Sequence, residues 1–373
     1  MVILQLNKRK AIRAGLLVKV KSERSVWEST KHYFVEFDGE SSASASWTRE
    51  STTTRMPVYM LTPVIGIFLI AAGLSLFLLP FSIAGDAADT WRSPHIIVML
   101  VLGVVLLASF GVYEKFWSPR PFIPFNLLVD RTVIGACLLG ASWQIAYYCW
   151  YSYFTSYLQV VYDVSVAQAG YIGSIYDVVA GIWLLPVGYG IRKTGQFKWF
   201  MLAALPFYTV GEGLLIRFRQ PGNSIGWIVF SQVLIAIGGG TFTVCQQVSV
   251  TAASSHNDAA AALAMLGLFG YFGGAIGNSI SGAIWTNTFP QNLAKLLPEE
   301  SLPDLESIYA DLEMQLSYEM GSATRAAIAE AYAITQKNML IAGTAILAVS
   351  LGSILLVRNI RLDKIEQVKG VLF

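Results

Sequence analysis

The apolar positions of this chain neither alternate nor recur along one face of a helix. They gather in blocks of about 20 residues with few or no charges, the length a helix needs to cross a bilayer core. Eight blocks are legible, at about 64–84, 96–113, 132–154, 166–189, 199–216, 225–247, 259–285 and 338–357. Inside lipid only helices or closed barrels satisfy their own backbone groups, and unbroken runs of Leu, Ile, Ala and Gly favour helices. The pattern predicts an all-α membrane protein with eight transmembrane helices: two at 64–113, five at 114–285 and a last one at 338–357.

Two polar stretches interrupt it. Residues 286–337 have an acidic middle (Glu299, Glu300, Asp304, Glu306, Asp311, Glu313) with apolar residues at helical spacing. They predict two or three short amphipathic helices in an extracellular loop, either a solvated cap or a lid over the substrate's way in. Residues 39–63 are polar, low in complexity and unlike either flank, as a disordered loop would be. Because Gly39-Glu40-Ser41 can be encoded with a splice-donor-like stretch, a retained intron is the expected origin of this insert.

Composition supports the membrane reading: 54% of residues are apolar and 13% charged, against about 25% charged in a soluble domain. The net charge of +2 says little, but its distribution sets an orientation. An even number of spans puts both termini on one side. The basic run in segment 1–38 (Lys8 to Arg24) and the tail 358–373 (Arg358, Arg361, Lys364) place that side in the cytosol. Lys115, Arg120, Arg131, Arg192, Lys193 and Lys198 agree, while Arg217 and Arg219 fall on the other side. The expected location is the plasma membrane or an endosomal vesicle membrane.

Enzyme chemistry is not expected. Cys137, Cys149 and Cys245 lie in apolar blocks and pack as small hydrophobes. His32, His95 and His256 have no metal-ligand spacing, and no Walker-type loop follows a strand. The reading is therefore no catalytic residues, no metal site, no cofactor and no nucleic-acid partner.

Ionisable residues inside a span are functional candidates by default. Asp177 and Glu212 each qualify as a proton-coupling group, or else as a carboxylate paired with an Arg or hydrated at the interface. Tyr147, Tyr148, Trp150 and Tyr151 crowd the third block. They form either an interfacial belt or a stacking surface for a large amphipathic ligand, with Gln144 one turn below. Gln246, Gln247 and Asn278 need polar partners inside the bundle. Gly270/Gly274 and Gly273/Gly277 are overlapping small-residue pairs suited to close helix packing.

The run Gly188-Tyr189-Gly190-Ile191-Arg192-Lys193-Thr194-Gly195 resembles the major facilitator loop motif: Gly188 opens the run, Lys193 and Gly195 match, and Arg192 stands where Asp is usual. The motif's position implies that blocks three to eight form one six-helix half. Longer strings, Phe110–Trp117, Gly135–Leu139, Tyr147–Trp150, Ser156–Val161, Gln168–Ile172, Ser281–Pro290 and Tyr318–Tyr332, resemble the fungal siderophore–iron transporter family. The resemblance implies a major facilitator C-terminal six-helix half plus the two central helices of the fourteen-helix type. It also implies proton-coupled uptake of ferric siderophore chelates, with the chelate, protons and lipid bilayer as partners. Tyr147, Tyr148, Trp150 and Tyr151 would contact the chelate, and Gln144 and Gln247 would hydrogen-bond it. Asp177 stands ahead of Glu212 as proton carrier, and Tyr318, Arg325 and Tyr332 of the last outer loop would take part. An N-terminal six-helix half is missing from the pattern, so the fragment is expected to be inactive alone. A drug–proton antiporter of the same superfamily and a non-transporting membrane interaction or receptor protein are the alternatives.

Overall fold

A computed structural model describes residues 62–83, 92–116, 125–255 and 258–364. The basic N-terminal segment, nearly all of the 39–63 insert and the end of the tail lie outside the described residues. The helices are α1 (Thr62–Ile83), α2 (Pro94–Phe116), α3 (Phe125–Val129), α4 (Arg131–Tyr151), α5 (Phe154–Tyr162), α6 (Val166–Gly173) and α7 (Ile175–Thr194). They continue with α8 (Lys198–Phe218), α9 (Ile225–Ala253), α10 (Ala259–Leu296), α11 (Leu305–Ala310), α12 (Leu312–Ser317) and α13 (Ala323–Leu356). No strand occurs among the described residues.

All eight expected blocks are helical. Seven spans are long and apolar enough to cross a membrane, counting α4 with α5 (Arg131–Tyr162) and α6 with α7 (Val166–Thr194); α1 carries a shorter apolar stretch, Ile65–Pro80. The chain is a multi-pass membrane protein. Its outward faces agree: Ile97, Val98, Val101 and Leu102 of α2 and Val178, Ile182 and Leu185 of α7 are exposed. Such continuous apolar faces would be a liability in water, and lipid solvates them.

Local chemistry sets the helix ends. The Asp130 carboxylate caps α4 by accepting from Thr132 N at 2.7 Å and Val133 N at 3.3 Å. Ser165 and Gln168 form a capping box at the start of α6. Gly195, at φ +64°, closes α7 in the left-handed conformation that glycine adopts without strain. At the other end of the bundle the helices outrun the apolar blocks: α10 continues to Leu296 and α13 begins at Ala323. Hydropathy marks the lipid slab, whereas these extensions are held by protein contacts. Trp285 stacks on Phe289 at 4.1 Å, and Phe289 meets Tyr332 edge-on at 4.7 Å. The intervening polar residues form a 3-10 turn (Glu299–Asp304), α11 and α12. These make the cap end of the bundle, and the end that holds Asp130 and Arg358 is the tail end.

Helix α4 is the centre of the bundle and packs against α10, α13 and α9; α8 packs on α9 and α13, and α7 on α9. Helices α4 and α10 approach closely: a Cβ on Gly273 would run into the Ala141 carbonyl, and one on Gly277 would come within 2.7 Å of the Ile145 carbonyl oxygen. At the tail end the chain after α13 is tied down. Lys198 Nζ donates to the Val357 carbonyl at 2.5 Å, and Leu362 N to the Gly195 carbonyl at 2.9 Å. Arg358 Nη1 lies 3.5 Å from the Asp130 carboxylate.

Candidate substrate cavity and buried charges

A cavity of about 460 Å³ opens between α4, α9 and α10, lined on its polar side by Gln144, Gln246 and Gln247. Its size suits a small-molecule site, for which roughly 300–1,000 Å³ is usual. Gly140 of α4 and Gly267 and Gly270 of α10 line it too, and their missing side chains leave the space open. Trp143 fixes Gln246 by donating from its indole nitrogen to the amide oxygen at 3.4 Å. The lining carries no charged side chain, and each amide offers both donors and an acceptor. Gln144 and Gln247 are thus brought together. Gln246 belongs with them, and its adjacency to Gln247 was the signal. The remaining polar group of this region, Asn278, accepts from the Ser152 hydroxyl at 2.6 Å.

The four aromatic residues separate into two pairs. Tyr147 and Trp150 are buried, at 7% and 1% exposure, while Tyr148 and Tyr151 are half-buried. Tyr147 stacks on Tyr151 at 4.7 Å and lies edge-on to Tyr148 at 5.3 Å and Trp150 at 5.4 Å. Tyr176 of α7 closes on Tyr147 at 4.7 Å. Helical spacing puts these rings near one another, but it does not say which way the face turns. Trp150 turns inward, toward α8.

The two carboxylates differ in kind. Asp177 is exposed in the first turn of α7, where the helix dipole favours a negative charge. Glu212 of α8 is fully buried, and among the described residues neither of its oxygens has a hydrogen-bond partner. The Trp150 indole N–H and the Thr344 hydroxyl approach it, and that hydroxyl already donates to the Leu340 carbonyl at 2.8 Å. Arg217 is exposed, but Arg219, which the sequence suggested as a loop charge, is 1% exposed. Its guanidinium lies over Phe154, Tyr157 and Trp150, 4.6, 4.7 and 5.7 Å from the ring centroids. The signal for it was spacing, since residues 212, 215 and 219 share one helical face.

The family model for a fungal trichothecene efflux pump matches residues 56–179. The chain is 50% identical to MFS siderochrome iron transporter D of Aspergillus fumigatus and 41% identical to siderophore iron transporter mirB of Emericella nidulans. Both matches cover 100% of this chain and 58% of the relative. MFS siderochrome iron transporter 1 of Ajellomyces capsulatus is 45% identical over 98% of this chain and 58% of its own length. The chain is similar along its whole length to siderochrome iron transporters of the major facilitator superfamily. It spans somewhat over half the length of these relatives, which are transporters and not enzymes.

The remaining candidate residues lie at the two ends of the bundle. At the cap end Arg325 and Tyr332 converge on the buried Gln315, and Arg325 also reaches Tyr318. Tyr332 donates to the Gln315 side-chain oxygen at 2.9 Å, and Arg325 Nη1 to the Gln315 carbonyl at 2.6 Å and the Tyr318 carbonyl at 3.5 Å. Partial burial, and the Asp304 carboxylate that accepts from its hydroxyl at 3.4 Å, push the Tyr318 phenol above its usual range. At the tail end, Gly195 has the turn and the tail contact described above, Lys193 is exposed, and a Cβ on Gly188 would meet only open space. Among the described residues no group of three or more His, Cys, Asp or Glu side chains could hold a metal ion.

Proposed function

We propose that the chain is part of a proton-coupled transporter of ferric siderophore chelates, working by alternating access. The observation that carries this reading is the uncharged, amide-lined cavity in a chain so similar to siderochrome transporters along its whole length. An uncharged hydrogen-bonding wall suits iron that arrives already wrapped in its chelator, with no protein ligand needed. Gln144 and Gln247 bond the chelate, Tyr148 and Tyr151 stack on it, and Tyr147 and Trp150 hold those rings from behind. Tyr318, Arg325 and Tyr332 brace the outer cap over this pathway.

Glu212 carries the proton in this reading, ahead of Asp177. An ionised carboxylate buried without a partner costs several kcal/mol. Glu212 therefore changes charge only when its surroundings change, and coupling requires that link. Asp177 has no such constraint where it stands. The tail end, with Arg358 and Arg361, faces the cytosol and the acidic cap faces out. The relatives are longer, and the activity belongs to the longer form. These 373 residues expressed alone take up no chelate.

The test is uptake of radio-iron as a ferric chelate by cells that lack their own uptake and carry the complete gene. Uptake that collapses with a protonophore is expected; a correctly inserted protein with no uptake overturns the reading. A second reading has its own support, because residues 56–179 match a trichothecene efflux pump model. It predicts resistance to a toxic organic compound, with no gain in iron uptake, in the same cells.

A further inference from the structure

Glu212 and Leu215 are buried on α8, and Arg219, the C-cap just past its last residue, is buried too, about two turns or roughly 10 Å from Glu212 along the chain's helical rise. Both side chains meet Trp150 of α4. Its indole N–H approaches the Glu212 carboxyl, its ring lies under the Arg219 guanidinium, and its carbonyl accepts from Arg219 Nη1 at 3.5 Å. Among the described residues, Arg219 Nε and Nη2, both Glu212 oxygens and Trp150 Nε1 have no hydrogen-bond partner. A buried cation with two spare donors and a buried acid with two spare acceptors thus share one neighbour, Trp150.

Among the described residues, the other groups acting on them include no alternative cation. Tyr208 of α8 and Cys149 of α4 face Glu212, and α13 brings the Thr344 hydroxyl. Tyr157 of α5 and Tyr162 face Arg219, with Glu330 of α13 acting on Tyr157. The guanidinium keeps its charge, so the variable charge of the pair is that of Glu212.

We propose that Arg219 is the counter-charge Glu212 takes on giving up its proton, and that Trp150 keeps the two apart while Glu212 is neutral. This rests on the reading of Glu212 as the proton carrier. When the carboxyl O–H bond breaks, its electron pair stays on the carboxylate and the proton passes to water that reaches the site as the bundle opens. The carboxylate then attracts the nearby guanidinium strongly in a medium of low dielectric. Arg219, the C-cap just past α8, then swings its guanidinium toward Glu212 and makes a charge-assisted pair. In doing so it leaves the Trp150 carbonyl and the Phe154 and Tyr157 rings. Trp150 stands in the last turn of α4, just before the break at Ser152 and Tyr153 that separates α4 from α5. Loss of the proton therefore releases a contact at that joint.

The test uses the 373-residue chain purified in detergent micelles, with Arg219→Met, Glu212→Gln and the double variant melted in mildly acidic and in alkaline buffer. Arg219→Met is expected to lower the melting temperature by about 3 °C more in alkaline than in acidic buffer. That extra loss should vanish in the Glu212→Gln background and be spared by Arg219→Lys, which keeps the charge. An extra alkaline loss that persists without the Glu212 carboxyl, or no extra loss at all, overturns the pairing. A second readout does not depend on the folding of the Arg219 variants. The pH-dependent part of the tryptophan emission that Trp150→Phe removes should also disappear in Glu212→Gln, and its persistence there overturns the proposal. Protonophore-sensitive uptake by Glu212→Gln cells instead overturns the reading of Glu212 as proton carrier and leaves the melting cycle to decide the pairing.

Discussion

Arg325 Nε donates to the Val160 carbonyl at 2.9 Å, binding the first turn of α13 to the last turn of α5. Nη2 donates to the Gln159 carbonyl at 3.2 Å and Nη1 to the Gln315 carbonyl at 2.6 Å. Asp163 lies 3.6 Å away but is 64% exposed, so its charge adds little. Truncating Arg325 leaves carbonyls from two separate helix ends without their donor. Arg325→Ala is expected to lower the unfolding free energy by about 3 kcal/mol. Arg325→Lys should recover only a minor part, because an ammonium cannot fork across three acceptors. Melting curves in micelles measure both, and an Arg325→Ala chain that melts with the natural one refutes this role.

The sequence could bring Arg325 forward only through a resemblance. Its partners are backbone carbonyls far along the chain, and no spacing rule points to them. The eight helices were legible for the opposite reason, since lipid demands a continuous apolar block and leaves the same mark each time. Beyond the slab that mark fails. Phe289 and Leu293 of α10 are fully buried among polar sequence neighbours, and there the helix is held by packing that hydropathy does not register.

The glycines of α10 give a second prediction. Of the two overlapping pairs read from the sequence, Gly273, Gly274 and Gly277 meet α4 closely, whereas a Cβ on Gly270 would find its nearest atom, Gln144 Nε2, at 4.0 Å. Gly277→Ala would push a methyl group within 2.7 Å of the Ile145 carbonyl oxygen and is expected to destabilise the bundle by about 1–3 kcal/mol. Gly270→Ala should be near neutral for stability. Equal losses for the two variants in the same melting assay would mean that α4 and α10 do not pack as closely as described.

The cavity gives a third. Gln247→Leu removes an exposed amide from its wall. On the proposed function it should raise the half-saturating chelate concentration about tenfold, the worth of one good hydrogen bond, at unchanged surface abundance. Trp143→Phe should weaken uptake in the same direction, since it frees the Gln246 amide that the indole now holds. Unaltered saturation curves in both variants would remove the glutamines from the substrate's path.

The last prediction separates the two carboxylates. Hydropathy marks Asp177 and Glu212 alike, as single acids in apolar blocks, and the sequence put Asp177 first because it lies nearer the middle of its block. Burial depends on which face a helix turns to its neighbours, and hydropathy does not carry that information. Asp177 is exposed on α7, while Glu212 faces Trp150 with no ordinary hydrogen bond. A neutral amide in place of Glu212 keeps the shape of the site and removes the carboxyl's exchangeable charge. Glu212→Gln in the complete protein should therefore abolish protonophore-sensitive chelate accumulation while leaving exchange of labelled for unlabelled chelate across the membrane. Asp177→Asn should retain at least half of the accumulation on this reading. If instead Asp177→Asn stops accumulation and Glu212→Gln does not, the proton travels through α7, and the buried Glu212 is a structural acid.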